Sequence, residues 1–185
     1  MKIKLVLAVL AFLAAGSIPL LAPTAQDVVD DTQLAERFAQ LSQNGNSNCS
    51  RDFMESIAAM PATMRLMGSC CGPMSEHRYR EQVMGIREYA AIELVPPDPY
   101  DIPAGIAHEA MDWFSVELTA AEADAYDYAM RHSKEGGPCC CMCWRWQVYG
   151  GLAKYLIRDL GFTGEQIANV WDLSDGCGGD EHAHT

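Results

Sequence analysis

The sequence predicts an all-α bundle of about six helices with cysteine-rich loops, preceded by an N-terminal signal segment. Three observations carry this. Apolar residues recur at helical spacing in segment after segment. No stretch shows the strict alternation of a half-buried strand. Glycine and proline clusters, together with two Thr-x-x-Glu/Gln capping boxes, divide the segments from one another.

In order, 32–41 reads as a short helix through Leu34, Phe38 and Leu41. A polar loop over 43–48 follows, and Ser50 caps a second helix reaching Met60, with Asp52 and Glu55 favourable in its first turn. Pro61 restarts or kinks the chain before Met64 and Met67, and 68–73 breaks it. Ser75 caps the next helix, whose stripe is Tyr79, Val83, Ile86, Ala90 and Leu94. Pro96, Pro97, Pro99 and Pro103 stiffen a loop. A helix over 104–118 points Ile106, Ala110, Trp113 and Phe114 inward. The Thr119/Glu122 capping box opens a helix to about Ser133, ended by Gly136-Gly137-Pro138. The last long helix runs from about Trp144 to Leu160 and stops at Gly161. Thr163/Gln166 forms the second capping box, starting a short helix to about Leu173.

The chain has 185 residues, of which 49% are hydrophobic and 21% charged. That is enough apolar material for one ordinary core, expected over 26–178, with 179–185 a flexible tail. The net charge is -12 and no basic patch interrupts it. Such a chain repels phosphate backbones, so nucleic acid is excluded as a partner.

Lys2 and Lys4 precede an apolar run over 5–13, apolar character returns over 18–22, and small residues lead to Ala25. This is the pattern of a signal peptide spanning 1–25, which places the remainder in the periplasm or outside the cell. A membrane anchor over 5–22 is the alternative, weakened by Gly16, Ser17 and Pro19.

The eight cysteines are Cys49, Cys70, Cys71, Cys139, Cys140, Cys141, Cys143 and Cys177. An oxidising compartment favours disulfides, yet the tight spacing suits ligands better than a purely structural framework. Neighbouring cysteines rarely bridge each other. Cys139, Cys140, Cys141 and Cys143 lie at a helix start, where free N–H groups and the helix dipole favour thiolate, the form that binds metal. Cys140 and Cys143 have the two-residue gap of a zinc or redox knuckle. Cys70 and Cys71 sit beside Met64, Met67 and Met74, a soft set suited to Cu(I), with His77 one turn into the next helix. Each methionine alone is equally a core filler. Cys177, between glycines, is a further ligand or, like Cys49, a disulfide mate of the 139–143 run. His182 and His184 belong to the polar tail, and His108 and His132 are single histidines on helices. Trp144, Trp146, Tyr149 and Tyr155 either pack the core or shield a thiolate site, and Arg145 and Lys154 offset its charge.

The run from Tyr126 to Cys143, with Pro138, Cys139, Cys141 and Cys143 as a proline and three alternating cysteines, resembles the PCYCGC-motif family of exported bacterial proteins. Cys140 and Met142 stand where that motif has Tyr and Gly, and Trp144-Arg145-Trp146 replaces its following Gly-His pair. The resemblance implies export and a metal-related role.

The leading expectation is therefore a binding protein for Cu(I), with Zn(II) next, acting as carrier, buffer or sensor. Its primary ligands would be Cys139, Cys141 and Cys143, with Cys140 a further one and Cys70, Cys71 and Cys177 secondary. A metal-handling or redox protein is the expected partner, and a membrane enters only if the N-terminal segment is retained. Two alternatives stand beside it: a thiol–disulfide oxidoreductase using Cys140 and Cys143, and a disulfide-stapled interaction domain.

Overall fold

The computed structural model describes residues 25–178, with side chains from 30 onward. The expected signal segment and the histidine tail lie outside the described residues. Seven helices and two short strands make up the described chain. In order they are α1 (Ala25–Asn44), α2 (Arg51–Ile57), β1 (Arg65–Met67), α3 (Glu76–Ile86), β2 (Asp101–Pro103), α4 (Ala104–Phe114), α5 (Ala120–His132), α6 (Trp144–Leu160) and α7 (Gly164–Ser174), with a 3-10 turn at Arg87–Tyr89 after α3. The expected all-α class holds. Among the described residues no helix is long and apolar enough to cross a membrane.

The two capping boxes form as the sequence requires. Glu122 Oε2 accepts from Thr119 N at 2.7 Å, and Thr119 Oγ1 from Glu122 N at 3.4 Å. Thr163 and Gln166 repeat the exchange at 2.9 and 3.3 Å. Ser50 caps α2 by accepting from Phe53 N, whereas Ser75 occupies the N-cap of α3 without a side-chain bond. Gly161 ends α6 in the left-handed conformation, φ 69°.

Several boundaries differ from the sequence reading. Helix α2 stops at Ile57 rather than Met60, and α4 stops at Phe114 rather than at 118. Met64 and Met67 flank and end a strand, not a helix. Strand β1 pairs antiparallel with β2 through Arg65↔Pro103, Leu66↔Ile102 and Met67↔Asp101. Three residues are too few to show alternation, so this ribbon left no periodic signal. Its core contribution is Leu66 and Ile102, both 0% exposed.

Helix α6 is the axis of the core. Trp144, Val148, Tyr149, Leu152, Ala153, Leu156 and Ile157 are all buried, each large aliphatic side chain contributing roughly 1.5–3 kcal/mol relative to exposure. Helix α4 packs against α6 at backbone distance. A Cβ on Gly151 would lie 1.7 Å from Ala110 O, so only glycine fits there. Helix α7 closes the other side, with Ile167, Val170 and Trp171 buried and Trp171 Nε1 donating to Tyr149 O at 3.0 Å. A second cluster, Leu34, Leu41, Tyr79, Val83 and Tyr100, holds α1 against α3. The start of α6 is thereby fixed against the loop following β1 and the turn following α7.

Candidate metal centre

The cysteines come from four stretches: the loop before α2, the loop after β1, the loop leading into α6, and the turn after α7. Backbone hydrogen bonds stitch these together independently of sulfur. Asn46 N and Ser47 N both donate to Met67 O, and Ser47 Oγ donates to Met67 O and Gly68 O, tying the Cys49 loop to β1. Cys70 N donates to Gly176 O at 3.2 Å, Cys71 N to Cys177 O at 3.3 Å and Gly72 N to Cys177 O at 2.9 Å. The Cys177 turn is pinned from beneath. Gln82 Nε2 donates to Asp175 O at 2.6 Å, Tyr100 Oη donates to the same oxygen at 3.2 Å, and Arg78 pairs with the Asp175 carboxylate at 3.1 Å. Cys143 is the N-cap of α6, and its N–H donates to Cys141 O at 2.8 Å, folding the cysteine run back on itself.

All eight thiols are free and they form one continuous sulfur network. Cys177 Sγ lies 2.7 Å from Cys140 and 3.1 Å from Cys139, which is 4.0 Å from Cys143. Cys71 Sγ lies 3.9 Å from both Cys140 and Cys141, 3.7 Å from Cys70 and 3.2 Å from Cys49, and Cys49 is 3.4 Å from Cys141. Triads with their sulfurs within 4.8 Å of one another include Cys49/Cys141/Cys143, Cys49/Cys70/Cys71, Cys70/Cys139/Cys143, Cys71/Cys140/Cys177 and Cys139/Cys140/Cys141. Every one of the eight cysteines belongs to at least one triad, and seven of them already recur within these five.

The network has depth. Cys139, Cys143 and Cys177 are buried, Cys49, Cys70, Cys140 and Cys141 half-buried, and Cys71 exposed. Its electrostatics follow. Bonds from Cys139, Cys143 and Cys177, with the Arg145 charge behind them, hold the Cys70 thiol far below the ordinary cysteine range. Burial, and after it contact with Cys71 and Cys70, pushes Cys49 up. Burial likewise raises Cys141 and takes Cys71 up to about 11. Shared protons with Cys143, Cys177 and Cys70 push Cys139 up. Cys70 is thus poised as thiolate beside Cys139, which keeps its proton until something displaces it.

All seven cysteines expected as ligands, Cys70, Cys71, Cys139, Cys140, Cys141, Cys143 and Cys177, meet in this network. Cys49, read from sequence only as a disulfide mate, joins them beside Cys71 and Cys141. The available signal was its place just before the N-cap serine of α2, one position earlier than Cys143, which is itself the N-cap of α6. Cys49 and Cys177, suggested as disulfide mates of the cysteine run, lie beside it as free thiols, Cys177 next to Cys140 and Cys49 next to Cys141. Cys140 and Cys143, spaced as a knuckle, likewise point to different partners, Cys177 and Cys71 for the first, Cys139 for the second.

The methionine set does not converge. Met64 is exposed, while Met67 and Met74 pack on the α1–α3 cluster. His77 is exposed and pairs with Glu81 at 3.2 Å. His108 Nε2 bonds Ile57 O, and His132 Nδ1 bonds Tyr128 O. Met142, in the middle of the cysteine run, is 80% exposed. Of the aromatics, Trp144 and Tyr149 are buried beneath the site, Trp146 covers Gly137, and Tyr155 packs on Trp113. Lys154 donates to Phe114 O and Val116 O at the end of α4, away from the cysteines. Arg145, 0% exposed, lies against the site.

Each of these triads offers three sulfurs, which suit thiophilic ions that accept thiolates at short range. No family model, curated protein or solved structure matches the chain, and the resemblance around Pro138 rests on that short motif alone.

Proposed function

We propose that this protein binds soft metal ions through its thiolate network, Cu(I) in preference and Zn(II) next, as an extracytoplasmic carrier, buffer or sensor. The observation that carries this reading is the continuity of the eight sulfurs, each linked to the next within 4.0 Å. Two thiolates on one tetrahedral ion at about 2.3 Å stand about 3.8 Å apart. The spacings of 3.7, 3.9 and 4.0 Å match ligands sharing an ion.

The overlap of triads favours Cu(I). A cysteine that belongs to two triads serves two ions only as a bridging thiolate. Cu(I) accepts two or three sulfurs and readily builds bridged clusters, whereas isolated Zn(II) sites take four separate ligands. Binding replaces thiol protons with metal, so uptake releases protons and weakens as pH falls. Buried inner sulfurs suit retention, and the exposed Cys71 rim suits ligand exchange with a donor or acceptor. The charged, then apolar, then small-residue leader over 1–25 supports an extracytoplasmic location.

The test is anaerobic titration of the purified, reduced protein with Cu(I) against a chromophoric chelator, with metal counted by elemental mass spectrometry. The expected result is more than one Cu(I) per chain and loss of free-thiol reactivity as metal enters. Protein that is fully reduced, folded and still unable to hold Cu(I) or Zn(II) against a weak chelator overturns the proposal.

A further inference from the structure

We propose that Arg145 is the built-in counter-cation of the metal-loaded cluster, wedged among the cysteine-bearing segments so that its charge faces the inner sulfurs; the inference rests on the metal-binding reading above and specifies how its charge is balanced. Arg145 is 0% exposed, and the other buried charged groups among the described residues, Asp101 and Asp175, are acids. Its guanidinium donates to carbonyls, Nη1 to Pro99 O at 2.6 Å and Nη2 to Gly68 O at 3.0 Å, and not to a carboxylate. Nε, also buried, has no partner. The ring of Trp144 lies 4.6 Å from its Cζ.

Three cysteine segments touch this one side chain. Arg145 follows Cys143 by two residues, its Nη2 holds the carbonyl two residues before Cys70, and its fork fills the space beside Gly176. A Cβ on Gly176, the residue before Cys177, would sit 2.2 Å from Cζ. The groups that feel its charge are Tyr149, Cys70, Cys139 and Tyr100, with Asp98 further out. Both Asp98 oxygens are occupied, Oδ1 by Tyr100 N and Oδ2 by Tyr79 Oη. A buried cation lacking a carboxylate partner is heavily penalised unless another anion stands nearby.

The Cys70 thiolate is the first such anion, and the loaded site adds more. One Cu(I) and three thiols give a tris-thiolate complex of charge minus two and three released protons. Bridging between ions reduces the negative charge per metal without removing it while sulfurs outnumber metals. Such a cluster, sunk in an acidic protein, gains a fixed positive neighbour that needs no reorganisation when metal enters. Arg145 is a positioning and charge-balancing residue, not a metal ligand. Lys154, the other cation on α6, is engaged with α4 carbonyls and plays no such part.

The experiment compares the full-length wild type, Arg145→Gln and Arg145→Lys by Cu(I) competition with a chromophoric chelator, and by the rise in Tm that Cu(I) produces over the metal-free form. Arg145→Gln is expected to lose about 10–100-fold in Cu(I) affinity, the scale of outer-shell substitutions at metal sites, and to show a smaller Cu(I)-induced rise. Arg145→Lys, which keeps the charge but not the planar fork, is expected within about threefold of wild type, a modest loss for a metal-site neighbour. Equal affinity in wild type and Arg145→Gln overturns the inference, as does equal impairment of the Gln and Lys variants, which would assign Arg145 to hydrogen bonding alone. If Arg145→Gln does not fold, Gly176→Ala displaces the guanidinium while leaving every sulfur and charge in the sequence. Weakened Cu(I) binding there supports the inference and unchanged binding overturns it. Wild type that takes up neither Cu(I) nor Zn(II) removes the metal-binding reading itself and this inference with it.

Discussion

Replacing Cys177 by serine tests whether the inner sulfurs hold metal together. Cys177 is 0% exposed and lies within 3.1 Å of both Cys139 and Cys140. Structural Zn(II) sites bind with about 10–16 kcal/mol from four ligands, or about 3 kcal/mol per ligand, which corresponds to about a hundredfold in affinity. Cys177→Ser should therefore weaken the tightest metal by about a hundredfold, the equivalent of one such ligand. Cys71→Ser, at the exposed rim, should instead reduce the number of weakly held ions and leave the tightest one within about tenfold, because the inner set keeps all its sulfurs. The assay is stepwise Cu(I) loading under anaerobic conditions with two chelators of different strength, together with Tm of each metal-free variant to report folding. Wild-type affinity in Cys177→Ser, or a greater loss in Cys71→Ser than in Cys177→Ser, refutes the division into a retaining interior and an exchanging rim.

Three further predictions concern the frame. Metal-free, fully reduced protein should keep its helical far-ultraviolet circular dichroism, since the cysteine segments are joined by backbone hydrogen bonds; collapse to coil on chelation would refute that. Gly151→Ala places a Cβ 1.7 Å from Ala110 O and 2.7 Å from Phe114 N, neither of which can swing away. A cost of about 3 kcal/mol, the upper end for overpacking, lowers Tm by roughly 6–12 °C in a chain of this size, and a shift under about 2 °C by calorimetry would contradict the packing. In metal-free protein burial raises the Cys71 thiol to about 11 from 9.0. Folding therefore favours its protonated form, a contribution complete below pH 9 and lost as pH rises towards about 11. Peptide-mapped alkylation of Cys71 should have its midpoint near that upper value, and a midpoint at or below 9 would contradict the environment described.

Much of the frame was legible because local chemistry decided it. Thr119/Glu122 and Thr163/Gln166 each satisfy orphan N–H groups within four residues, so α5 and α7 begin where the sequence says they must. Gly161 ends α6 for an equally local reason. The ribbon of β1 and β2 was not legible, because pairing Leu66 with Ile102 across thirty-five intervening residues is a tertiary event on three-residue strands. The same holds for the methionines. Met64, Met67, Cys70 and Met74 look like one soft ligand set at three- to four-residue spacing only if the segment is helical. As an extended ribbon it alternates sides, so Met67 turns towards α1 and Met64 towards solvent.

The site itself was legible in composition and illegible in membership. Cysteine runs announced thiolate chemistry, but the inclusion of Cys49 depends on Asn46 and Ser47 clasping β1, contacts about twenty residues away in sequence. This bears on what the network is for. If the sulfurs were gathered only by the metal, their segments would have separate backbone partners when it leaves. Here the N–H groups of Cys70, Cys71 and Gly72 are spent on the carbonyls of Gly176 and Cys177, and the N–H of Cys143 on Cys141. Eight thiols are thus held within reach of one another by peptide groups that bind no metal. The ordering cost is met during folding, and arriving ions need only displace protons. On the proposed metal-binding reading, a preformed reservoir of this kind would exchange metal without refolding, as a carrier or buffer does and a finger whose metal is its core does not.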